Sequence, residues 1–135
     1  MILFYAAQSN RVVEALLKEL AGCKVVRCRS FGTMEKRLRK PRNGLEIVLV
    51  VVEEIEEIAR IGDIQGLIRD LRLVVVLPER DSQMVSSAHK LTPRFIGYAD
   101  DGFDQIGAVL RKMMDRSLHH AATDPEMPFA PQYVR

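Results

Sequence analysis

The chain has 135 residues, 47% of them hydrophobic and 28% charged, and a formal net charge of +2. That length fits one domain, and a chain of this size buries roughly two-thirds of its unfolded surface, enough for a core without disulfide or metal staples. The longest aliphatic run, residues 47–52, falls far short of the ~20 residues that cross a bilayer. Residues 1–7 are apolar but lack the basic flank of a signal peptide, so a cytoplasmic protein with no membrane span is expected.

The chain alternates between strand-like and helix-like patterns. Residues 2–6 are apolar and rich in β-formers. Ser9 then offers a helix cap, followed by Val12, Val13, Leu16, Leu17 and Leu20 at helical spacing, with Gly22 closing the helix. Residues 24–29 predict a second strand. Residues 33–40 predict a short basic helix, stopped by Pro41 and turned by Asn43-Gly44. Residues 47–52 are six consecutive aliphatics, the pattern of a strand covered on both faces. Residues 53–71 read as a helix broken at Gly62-Asp63, with Asp63 capping the second piece. A strand over 73–77 ends at Pro78, Asp81 caps a helix that Pro93 terminates, and a fifth strand spans 95–99. The last helix is expected over 103–118. Residues 1–118 thus form one α/β domain. Residues 119–135, with Pro125, Pro128 and Pro131, form a tail that is either flexible or docked.

Five strand–helix units with short loops predict a doubly wound parallel sheet in the flavodoxin-like order 2-1-3-4-5, with helices on both faces. A thioredoxin-like fold needs an antiparallel hairpin that this alternation does not supply. Cys23 and Cys28 are five apart, a spacing that fits neither a CxxC site nor a larger Cys/His set, so both are expected as reduced thiols in or beside a strand.

Ligands of such sheets sit at the carboxyl ends of the strands. The first loop, Ala7-Gln8-Ser9-Asn10-Arg11, has no glycine, which argues against a nucleotide or flavin phosphate loop. No cofactor is expected. Acidic residues follow the third strand (Glu53, Glu54, Glu56, Glu57) and the fifth (Asp100, Asp101, Asp104). A pair of them across the cleft could serve acid–base or metal chemistry, but the helix dipole accounts for acids in a first turn more simply.

The layout of residues 1–118 resembles the receiver domains of two-component response regulators. Local likenesses add to it, such as residues 9–22 in the first helix and Gly62-Asp63-Ile64-Gln65-Gly66 after the third strand. An active receiver holds Mg²⁺ on an acidic pair after strand one, where this chain has Ala6 and Ala7. Its phospho-accepting Asp ends strand three, where Val51 and Val52 stand, and its hydroxyl residue ends strand four, where Leu77 or Pro78 stands. Its lysine–proline pair falls on Tyr98-Ala99 or Ala99-Asp100. Mg²⁺ needs carboxylate oxygens and must offset phosphoryl charge, so with one carboxylate and no lysine the phosphotransfer machinery is missing. The resemblance is therefore to a degenerate pseudo-receiver. It implies a non-enzymatic interaction or regulatory module in bacterial-type signalling, working on another signalling protein or on a second copy of itself.

Receivers commonly dimerise or signal through the helix after strand four, strand five and the last helix. Carried over by position, that face includes Lys90, Arg94, Tyr98, Arg111 and Met114. Arg94 and Tyr98 alternate with Ile96 and so point the same way, and Tyr and Arg are frequent interface anchors. A basic segment (Lys24, Arg27, Arg29, Lys36, Arg37, Arg39, Lys40, Arg42) is opposed by Glu35 alone. The small net charge and the lack of interleaved aromatics beyond Phe31 argue for a solvated or partner-facing surface over nucleic acid. The second reading is a small-ligand or nucleotide-binding domain whose mouth is Gln8, Ser9, Asn10, Glu53 and Asp100.

Overall fold

A computed structural model describes residues 1–41 and 44–123. Its elements run β1 (Ile2–Ala6), α1 (Arg11–Glu19), β2 (Val25–Cys28), α2 (Phe31–Arg39), β3 (Ile47–Val51), α3 (Ile55–Asp63), α4 (Gln65–Ile68), β4 (Arg72–Leu77), α5 (Ser82–His89), β5 (Phe95–Tyr98) and α6 (Asp104–Thr123), with a 3-10 turn at Ala99–Asp101. The five strands are all parallel in the order β2-β1-β3-β4-β5, the arrangement the alternation predicts.

The side-chain alternation of each strand divides the core into two layers. Ile2, Phe4, Ile47, Leu49, Val74 and Val76 face Val13, Leu16, Ile106 and Leu110 of α1 and α6. Leu3, Tyr5, Val48, Val50, Leu73 and Val75 face the other four helices through Phe31, Met34, Ile58, Ile61, Ile68 and Met84. β3, and β4 from Leu73 onward, are buried on both faces, which is why those stretches are unbroken aliphatics. Each such side chain contributes about 1.5–3 kcal/mol on leaving water.

Helix ends differ in places from the sequence expectations. Asn10 caps α1, its side chain accepting from the Val13 amide, and Ser9 lies one residue outside the helix. Ser30 caps α2, which begins at Phe31 and not at residue 33. The break between α3 and α4 falls at Ile64, so Asp63 is the last residue of α3 and caps nothing. Asp81 does cap α5, accepting from the amides of Gln83 and Met84. Gly22 (φ +93°) makes the left-handed turn into β2 that a side chain would resist. Thr92 leaves α5 at φ 51° just before Pro93, a conformation that costs a β-branched residue roughly 1–2 kcal/mol. α6 runs to Thr123, past the helix end expected at 118. The rest of the tail and the Asn43 part of the Asn43-Gly44 turn lie outside the described residues.

Candidate functional site

The sheet order reverses at β1. Chain leaving β1 goes to α1 on one face, and chain leaving β3 goes to α3 on the other, which opens a crevice between the two strand ends. Ala6, Val51 with Val52, Leu77, and Tyr98 with Ala99 all stand at the carboxyl ends of their strands, around this one mouth. The cleft there has a volume of about 250 Å³. Its lining is mostly aliphatic, contributed by Val51, Val52, Val76, Leu77 and Pro78, with Asn10 and Glu53 as its polar members.

Of the expected ligand mouth, the structure joins two residues. Asn10 Nδ2 donates to Glu53 Oε2 at 2.8 Å, tying the loop after β1 to the loop after β3. Gln8 is exposed and does not line the cleft. Ser9 turns the other way and accepts from Arg27 Nη2 of β2 at 2.9 Å. Asp100 lies across the mouth near Arg80, 3.9 Å from its guanidinium.

Beneath the Asn10–Glu53 bridge sits a pairing that sequence pattern does not reveal. Tyr5, 3% exposed, donates its hydroxyl to Glu57 Oε2 at 3.2 Å. Glu57 Oε1 accepts from the backbone amides of Glu53 at 2.7 Å and Glu54 at 3.1 Å. Burial first, then the Glu57 carboxylate, pushes the Tyr5 phenol up to about 12, so it stays protonated and donates. The Tyr5 ring meets Phe31 edge-on at 5.6 Å, and the Arg60 guanidinium lies 4.7 Å above Phe31. Two backbone donors at the head of α3, where an anion would be received, are thus already taken by the chain's own carboxylate.

A second pairing closes the far side. Arg80, after β4, donates to Asp101 Oδ1 at 2.9 Å and Oδ2 at 2.5 Å, and its guanidinium lies 4.2 Å above the Tyr98 ring. The Arg80 hydrogen bond holds the Asp101 carboxyl below its ordinary range, and the same bond raises Arg80. The acids after β3 and β5 behave largely as the dipole argument expects: Glu56 and Glu57 lie in the first turn of α3, and Asp104 in that of α6. Among the described residues no group of three or more His, Cys, Asp or Glu is placed to hold a metal ion.

The five residues of the expected partner surface divide. Lys90 and Arg94 are exposed between α5 and β5, and Tyr98 is half-buried at the mouth end of β5 beneath Arg80. Arg111 turns toward α1, bonding the Glu19 carbonyl with the Glu19 carboxylate 3.6 Å away. Met114 packs against the α1–α6 core. Both cysteines are free. Burial pushes the Cys28 thiol up, away from the thiolate form. No helix among the described residues is long and apolar enough to cross a membrane.

The fold, with its reversal at β1, makes this chain a flavodoxin-like α/β protein. No protein-family model matches it, and no curated protein matches its sequence. Among solved structures it is similar to a protein named as pilus assembly-related from Burkholderia pseudomallei K96243. The TM-score is 0.66 at 17% identity, over 85% of this chain and 89% of that one. It is also similar to one named as the pilus assembly protein CpaE from Burkholderia thailandensis E264, with a TM-score of 0.59 at 14% identity over 88% of this chain and 98% of that one. At such identities the likeness defines the fold.

Proposed function

We propose that this protein is a pseudo-receiver: a regulatory or interaction module that works through protein contacts, without phosphoryl transfer. The observation that carries this reading is the mouth itself. A phosphoryl switch needs carboxylates for Mg²⁺ and free donors for the transferred group. Here the strand ends present Ala6, Val51 and Leu77, and the amides of Glu53 and Glu54 are bound to Glu57. With the chemistry gone, surface remains: Lys90 and Arg94 beside β5 are exposed, and Tyr98 is half-exposed. The two similar structures named above are named for pilus assembly, so components of such an assembly are the first partners to test.

The test is an NMR titration with Mg²⁺ and then beryllofluoride, following the amides of residues 6–10, 51–54 and 98–102. The expected result is no saturable shift. A saturable shift at those loops overturns the reading. For the interaction half, charge reversal at Lys90 or Arg94 is expected to weaken self-association or partner binding, and unchanged association counts against it. Arg111 is a poor choice of variant, because its reversal also breaks the contact with Glu19.

A further inference from the structure

We propose that the cleft is a binding site with inverted charge preference for its fold: it takes a small organic cation, a primary ammonium carried on a compact aliphatic body. Three observations lead there. Val51, Val52, Val76 and Leu77 line the cleft, and their side chains offer apolar contact. Its one charged lining residue, among the described residues, is Glu53. Donors that flank it are already committed, the amides of Glu53 and Glu54 to Glu57 and the Arg80 guanidinium to Asp101.

Asn10 positions the carboxylate. Its Oδ1 is fixed by the Val13 amide as the cap of α1, so its Nδ2 is fixed too, and that group donates to Glu53 Oε2. A carboxylate held by one neutral donor keeps further acceptor capacity, which an ammonium can use over the aliphatic floor. A volume of about 250 Å³ has room for a body of a few carbons up to a six-membered ring.

The experiment holds the body constant and changes the head. Cyclohexylmethylamine, cyclohexylmethanol and cyclohexanecarboxylate are titrated separately into the full chain by NMR, following the amides of Val52, Glu53, Val76 and Ala99. The amine is expected to saturate with a dissociation constant at least about tenfold below that of the alcohol, the effect of one charge-assisted hydrogen bond. The carboxylate is expected not to bind. Glu53→Gln keeps an acceptor for Asn10 but removes the charge, and it is expected to bring amine and alcohol level. Ala99→Leu narrows the cleft from its rim and is expected to weaken both. Saturation by the carboxylate, an amine preference that survives Glu53→Gln, or no saturation by any of the three overturns the proposal.

Discussion

Two polar fastenings flank the same cleft, and they are built on opposite physical terms. On the β1–β3 side, Tyr5 and Glu57 lie against the core, and one carboxylate accepts three hydrogen bonds from a phenol and two backbone amides. On the β4–β5 side, Arg80 and Asp101 form a shorter, fully charged pair in solvent. Contact geometry alone would rank the second as stronger. Burial reverses that ranking, because water and salt compete for an exposed ion pair but cannot replace the partners of a buried phenol. The inner fastening is therefore expected to hold the shape of the mouth, and the outer one to add little to folding.

The comparison breaks most visibly at Tyr5. Tyr5→Ala removes a buried ring packed on Phe31 and leaves a cavity, and chemical denaturation should show a loss of about 3–5 kcal/mol. Glu57→Ala comes next. It keeps the ring but strands the Tyr5 hydroxyl and frees two amides at the head of α3, for an expected loss of about 2 kcal/mol in the same measurement. If Glu57→Ala is as harmless as an ordinary surface substitution, the inner network is not what holds the mouth.

A pH series sharpens the same point. Tyr5 has a folded value of about 12 against an ordinary phenol value of 10.0, so the folded state favours the protonated form. A raised value contributes stability that is fully present below the unfolded value and is lost as pH rises through the folded one. Stability should therefore fall between about pH 10 and 12. Tyr5→Phe should remove that slope while costing about 1 kcal/mol at neutral pH. An equal slope in wild type and Tyr5→Phe would assign the alkaline loss to other groups.

What the sequence makes legible follows from range. Local rules work where the deciding forces are local: the aliphatic run through β3 marks a strand covered on both faces, and Asp81 marks the start of α5. They slip by a residue where neighbours compete. Ser9 and Asn10 are both good caps, and the choice of Asn10 depends on where the loop leaves β1 and on its reach to Glu53. They stop short at α6, which runs past the end expected at 118 to Thr123. They are silent on Tyr5–Glu57, 52 residues apart, and on Arg80–Asp101, 21 apart, because strand register brings those residues together and register carries no local pattern. Position at the strand ends placed Ala6, Val51, Leu77 and Tyr98 around one mouth, but the groups that close it had to be seen in three dimensions.

The smallest expected effect lies at Asp101. Asp101→Asn removes the charge from the outer pair but keeps an oxygen for Arg80, and Arg80 retains its place over Tyr98. Because both partners are exposed, the stability change should be hard to distinguish from zero and should vanish in high salt. The sign with pH is opposite to that of Tyr5. A depressed carboxyl contributes stability present above its unfolded value and lost as pH falls through the folded one, so any difference between Asp101→Asn and wild type should disappear in acid. Thermal melts at low and high salt, at neutral and acidic pH, separate the outcomes. A large, salt-resistant loss in Asp101→Asn would mean that the β4–β5 side holds the mouth as firmly as Tyr5 and Glu57 do, and the asymmetry between the two fastenings would fall.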